Sequence, residues 1–268
     1  MLIKPEEYDP LTRMDFWIFV QRVFAELNSE PYLDNFHVQV LAARLDKIRL
    51  GGIHRLAIAL PPRNLKSIIV SVALPAWLLG HDPGTKIICA SYAAELSEKL
   101  SADCRQVMQS AWYRRLFPNT ELADGRQPVR HFHTTKGGSR FATSVGGSVT
   151  GLGAHLAIVD DPIKPDEVMS DIERVKANKW LRQSIFTRLD NKKSRGSIII
   201  VMQRLHEDDM IGHVVENADF ELLSFPAIAP CDETHAIETP WGCPCGPCGT
   251  ARSARVHRTL LALLDLEG

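Results

Sequence analysis

A surplus of charge of one sign is missing from this chain. Its 31 lysines and arginines against 32 aspartates and glutamates give a formal net charge of -1 over 268 residues. That balance argues against the wholly basic surface of a simple nucleic-acid coat and leaves room for a local basic patch. Long apolar runs are missing too: the stretch FWIFV, Phe16 to Val20, is far shorter than a bilayer span, and no basic-then-apolar leader opens the chain. A soluble, intracellular protein is expected. Cysteine is scarce, six in all. Cys89 lies in an apolar run and Cys104 in a helical pattern, where reduced core thiols are common. Cys231, Cys243, Cys245 and Cys248 fall late in the chain, around the cluster CPCGPC. Four thiolates suit zinc, but the second C-x-x-C knuckle of a structural site is lacking.

Glycine is missing from one place where chemistry usually asks for it. LPPRNLKSIIVS, Leu60 to Ser71, carries the closing Lys66-Ser67 of the phosphate-loop pattern G-x-x-x-x-G-K-S/T, yet both glycine positions hold leucine, Leu60 and Leu65. If position 65 takes a positive φ, leucine costs about 1 kcal/mol or more, which a packed loop absorbs while slightly distorting its cradle. Taken alone, PPRNLKS also suits a proline-rich turn before a helix.

Residues 1–52 read as helical, with apolar residues at helical spacing in FWIFVQRVFAEL and HVQVLAARLDKI. Beyond them, short apolar runs alternate with helical patterns. RLAIAL, TKIICAS, HLAIVDD and GSIIIVMQ read as buried strands, and FELLSFPAI as a last one. SIIVSVALPAWLLG reads as a buried helix that Pro75 kinks, AAELSEKLSADCRQVMQS and DDMIGHVVE as helices, and SDIERVKANKWLRQSIFTRL as one long helix. FHTTKGGSRFATSVGG suggests a hairpin with glycine turns. This alternation implies an α/β fold: a mostly parallel sheet with helices on both faces. Ligands in such folds bind at the carboxyl ends of strands, where Pro61 to Ser67, Asp160-Asp161 and Gln203-Arg204 all fall.

A nucleoside triphosphatase needs a cation at the β/γ-phosphates, a hydroxyl and a carboxylate for Mg2+, and a carboxylate to orient water. Lys66 is the candidate cation, Ser67 and Asp160 the candidate Mg2+ ligands, and Asp161 the candidate base. Pro62, Arg63, Asn64 and Leu65 complete the phosphate loop, whose backbone amides would face ATP. Gln203 and Arg204 could contact the γ-phosphate or its water. Each element has a plainer reading: Asp161-Pro162 favours a turn, and the segment after Gln203 could be a polar connection with Asp208 capping the next helix. Two phosphate-site motifs in the right order, each ending a buried strand, favour the catalytic reading.

The stretches ALPPRNLKS, SVGGSVTGLGAHLAIVDDPIKPDE and SIIIVMQRLHEDDMIGHV resemble the ATPase domain of the large terminase subunit, the motor that packages DNA into tailed-phage heads. The likeness runs from about Phe36 to Pro230 and implies a P-loop NTPase domain of the ASCE/RecA-like kind over residues 53–230, using ATP and Mg2+. In that family the loop is commonly P-P-R-x-G-K-S/T, so Leu60, Pro61 and Pro62 fit it and Leu65 departs from it. The resemblance implies that Arg63 senses phosphate in cis. A trans-acting arginine is expected before the acidic strand, but TGLGAH has Leu152 there, leaving Arg140 as a poor substitute. His37 and Gln39 are candidates for contacting adenine, or they lie on a helix surface. Lys192, Lys193 and Arg195 are candidate DNA phosphate contacts, or a solvated loop.

The resemblance further implies double-stranded DNA, a portal protein and a small terminase subunit as partners, a homo-oligomeric ring, no membrane, and the host bacterial cytoplasm. Residues 231–268 read as an irregular tail where the family continues into a nuclease domain, and a frameshift or truncation would account for the cysteines. The alternatives are a helicase-like P-loop motor and a non-catalytic prophage remnant.

Overall fold

The computed structural model describes residues 5–125, 127–189 and 196–226, and the strand segments 233–238 and 251–256. Three helices come first: α1 (Asp9–Met14), α2 (Phe16–Leu27) and α3 (Phe36–Arg49). Asp15 separates the first two, its carboxylate accepting from the amides of Trp17 and Ile18, as an N-cap satisfies orphan donors. Strand β1 (Arg55–Ala59) leads through the loop into a helix whose Ile68–Ala73 portion is π-helical and continues as α4 (Leu74–His81). Pro75, expected to kink this helix, has no N–H for the carbonyl four residues back, and the wider turns lie just before it. Next come β2 (Lys86–Ser91), α5 (Ala94–Gln109), α6 (Ala111–Leu116), β3 (His131–His133), β4 (Ser139–Ser144) and β5 (Leu156–Asp160). Then follow α7 (Asp171–Trp180), β6 (Ser197–Met202), α8 (Met210–Asn217), β7 (Glu221–Ser224), β8 (Glu233–Glu238) and β9 (Ala251–Val256).

Seven strands form one sheet in the order β3-β4-β2-β5-β6-β1-β7. All neighbours are parallel except β3 and β4. Alternation along β1 shows why the strands read as unbroken apolar runs. Leu56 and Ile58 enter a core with α2 to α6, while Ala57 and Ala59 enter a second core with α7 and α8. Helices therefore cover both faces, as expected of this α/β sheet.

Three details differ from the sequence reading. The expected hairpin exists as β3 and β4, turning at Gly137 with φ 85°, but β4 also joins β2 in parallel and carries the hairpin into the main sheet. The expected single helix over 170–189 ends as α7 at Trp180 and passes into a π-helical turn, Leu181–Ile185. Within the tail expected to be irregular, β8 and β9 pair antiparallel beside α3. Lys192, Lys193, Arg195, Cys231, Cys243, Cys245 and Cys248 lie outside the described residues.

One feature of the sheet order positions the site. Strand β6 lies between β1 and β5, so the segments after these three strands emerge side by side at the carboxyl edge.

Candidate active site

The loop after β1 leaves the sheet still tied to β6, the Leu60 amide donating to the Met202 carbonyl at 3.1 Å. It then takes two left-handed residues, Arg63 with φ 62° and Leu65 with φ 59°. Position 65 thus has the backbone that glycine adopts freely and leucine resists. The Leu65 side chain is half-buried against the first core, and that packing offsets the strain. Among the described residues, the N–H groups of Arg63, Asn64 and Leu65 donate to no backbone carbonyl. The first amides of the following helix also lack partners by helix geometry, so the loop presents a run of donors that suits phosphate oxygens.

Asn64 braces the loop, its amide donating to the Pro62 carbonyl at 3.0 Å. Its own carbonyl lies 3.4 Å from His37 Nε2. His37 is buried at 3% exposure, so it does not lie on a helix surface; it joins α3 to the loop. Burial holds its pKa below the ordinary histidine value. Gln39 gives its amide to Asp34 at 2.7 Å, which also accepts from the Trp17 indole and the Tyr32 hydroxyl.

Lys66 is 8% exposed, and its ammonium lies 2.9 Å from Asp161 Oδ2. Asp160 is buried on the last position of β5. Its Oδ1 accepts from Ser67 at 3.2 Å and its Oδ2 from Ser71 at 2.7 Å. Burial, and secondarily the Asp161 charge, push the Asp160 carboxyl up to about 6, partly countered by the two serines and Lys66. Asp161 is left-handed, φ 47°, fixed by its amide on the Val201 carbonyl at 2.8 Å and by its carbonyl, which accepts from Tyr92 at 3.0 Å. The structure therefore brings together Lys66, Ser67, Asp160 and Asp161 from separate strand ends. A hydroxyl and a buried carboxylate are hard oxygen donors, and together they fit Mg2+, which keeps waters and phosphate oxygens as its other ligands. No cluster of three or more His, Cys, Asp or Glu among the described residues would hold a metal unaided.

Gln203 is half-buried just past β6, between the loop and the acidic strand. Arg204 is turned into the connection to α8: its Nε donates to Asp209 at 2.9 Å and its Nη2 to the Glu207 carbonyl at 2.9 Å. Asp209, not Asp208, caps α8, accepting from the Gly212 amide at 2.9 Å. Arg63 is exposed. Arg140 is 0% exposed and donates to the Ser71 carbonyl at 2.9 Å, so it cannot reach a neighbouring subunit. Leu152 is partly buried against the second core. Ser71 went unread in the sequence; the signal was its spacing of one helical turn after Ser67.

These features define the fold class: the chain has a P-loop ATPase fold of the RecA-like kind. No protein-family model matches it, and no curated protein matches it. Among solved structures it is similar to the HK97 bacteriophage large terminase, with 17% identity and a TM-score of 0.46 over 80% of this chain and 45% of that one. It is also similar to a hypothetical ATP-dependent RNA helicase from Sulfolobus tokodaii, with 12% identity and a TM-score of 0.45 over 77% and 56%. A third is a Saccharomyces cerevisiae Dbp5 complex that includes ADP, at 12% identity and a TM-score of 0.43 over 78% and 53%. The chain spans about half the length of these proteins. No helix of the described residues is long and apolar enough to cross a membrane.

Proposed function

We propose that this chain is the ATP-hydrolysing part of a motor of the terminase large-subunit kind, which drives double-stranded DNA into a phage prohead. The observation that carries the ATPase reading is the convergence of Lys66, Ser67, Asp160 and Asp161 on a loop with free amides and two left-handed residues. Lys66 and the amides of Pro61 to Ser67 other than the prolines neutralise and orient the β/γ-phosphates. Ser67 and Asp160 hold Mg2+, which when bound shields phosphate charge. Asp161 orients the attacking water and takes its proton as the water oxygen bonds to the γ-phosphorus and ADP leaves. Gln203 reports the state of the γ-phosphate, Arg63 touches it in cis, and Gln39 flanks the base.

The terminase part of the reading rests on the sequence stretches quoted above. It brings double-stranded DNA, a portal protein, a small terminase subunit and a homo-oligomeric ring in the host bacterial cytoplasm, with Lys192, Lys193 and Arg195 on DNA phosphates. Mg-ATP turnover by the purified chain, with duplex DNA, single-stranded DNA or RNA added, tests both parts. Turnover raised by duplex DNA without strand separation is expected. Strand separation would favour a helicase-like motor. Absence of ATP binding, or binding that survives Lys66→Ala, would overturn the ATPase reading.

A further inference from the structure

The carboxylate of Asp160 has two oxygens with different company. Oδ1 meets Ser67, the hydroxyl that joins it at the cation. Oδ2 meets Ser71 at 2.7 Å, the shorter of the two contacts, and Ser71 is 1% exposed. A carboxylate that serves a metal through one oxygen is commonly oriented through the other, and such supporting contacts tune metal affinity. Ser71 is itself held from behind. Pro75 has no N–H to offer its carbonyl four residues back, and Arg140 Nη2 donates to that carbonyl at 2.9 Å. Arg140 reaches it from β4, two strands from β5. Its guanidinium is fully buried, and Nε and Nη1 have no partner among the described residues. A charge kept in the core with unmet donors is costly, so its one bond to Ser71 marks a constraint on that segment.

We infer that Ser71 is a positioning residue for the Mg2+ carboxylate: it fixes Asp160 through Oδ2, and Arg140 fixes Ser71 through its backbone carbonyl. The π-helical segment Ile68–Ala73 thereby becomes part of the cation site rather than a mere distortion of the helix. Wider helical turns recur at functional sites for this kind of reason. The inference rests on the ATPase reading above.

The test is ATP binding to the full chain by calorimetric titration, with Mg2+ and with EDTA, so that no turnover is needed. Ser71→Ala is expected to cut the Mg2+-dependent gain in ATP affinity about tenfold while leaving affinity in EDTA unchanged. Ser71→Thr, which keeps the hydroxyl, is expected to restore most of the gain. Arg140→Met is expected to show a smaller loss of the same kind; if it does not fold, the two Ser71 variants decide. A serine that only supports the fold would weaken ATP binding equally with and without Mg2+, and that result would overturn the inference. So would an undiminished Mg2+ gain in Ser71→Ala beside a clear gain in the parent, with the ATPase reading left standing. A parent that binds no ATP would overturn both.

Discussion

The ammonium of Lys66 and the carboxylate of Asp161 lie 2.9 Å apart, so the cation of the phosphate loop and the candidate base of the acidic strand are partners. On the proposed ATPase reading, phosphate and Asp161 compete for Lys66. Asp161→Asn keeps the side chain's shape, loses the basic oxygen and releases the ammonium. Hydrolysis is expected to fall by about 10²–10⁴-fold, while ATP affinity holds or tightens. Single-turnover kinetics and calorimetry check the two halves, and turnover equal to the parent's would exclude Asp161 as the base.

Leu65 pairs a left-handed backbone, φ 59°, with a side chain packed on the core. Leu65→Gly relieves strain of about 1 kcal/mol but gives up that contact and frees the unfolded chain. Its melting temperature is expected to stay near the parent's, while Mg-ATP binds about fivefold more tightly if the strain opposes the bound loop. Leu65→Val, branched at Cβ where φ is positive, is expected to lose about 1–2 kcal/mol of stability. A stable valine variant would show that the left-handed turn is not held in solution.

Arg204 pairs with a buried Asp209 that also caps α8. Removing the guanidinium leaves that carboxylate short of a partner, so Arg204→Met is expected to cost about 2 kcal/mol in urea denaturation. ATP affinity should stay within about twofold. The opposite pattern, intact stability with turnover down about a thousandfold, would put Arg204 at the γ-phosphate after all.

Asp160 makes stability depend on pH in a particular sense. Its carboxyl is raised from 3.8 to about 6 in the folded chain, so between those values the folded state holds a proton that the unfolded state has lost. The stability it contributes is present below about 4 and disappears as pH rises through about 6. Measured in EDTA against Asp160→Asn, the parent is expected to lose on the order of 3 kcal/mol between pH ~4 and ~7, then to stay level. A parent that instead loses stability relative to Asp160→Asn on acidification would mean that the carboxylate is stabilised by its surroundings.

Much of this site could be read from the sequence because its parts are local. Lys66-Ser67 open the helix after one apolar strand and Asp160-Asp161 close another, and the sheet order then makes them neighbours. Arg204 shows the limit: beside Gln203 it looks like a second phosphate contact, and only the fold reveals Asp209 within its reach. Arg140 is a charged residue in a short strand, which reads as an exposed position; nothing nearby in sequence tells of the Ser71 carbonyl it meets from across the sheet. The leucine at position 65 could be questioned but not resolved, because its support comes from core residues distant in the chain.

Strand β1 has no neighbour close to it in sequence. Leu56 pairs with Ile199 on one side and with Glu221 on the other, so the phosphate loop gains its sheet only when the last strands of the domain exist. At ~5–20 residues per second of synthesis, β1 and its apolar face wait on the order of ten seconds for those partners. Pairings this distant also slow folding once the chain is complete. A nascent chain stopped short of Ser197 would present an orphaned strand to chaperones and proteases.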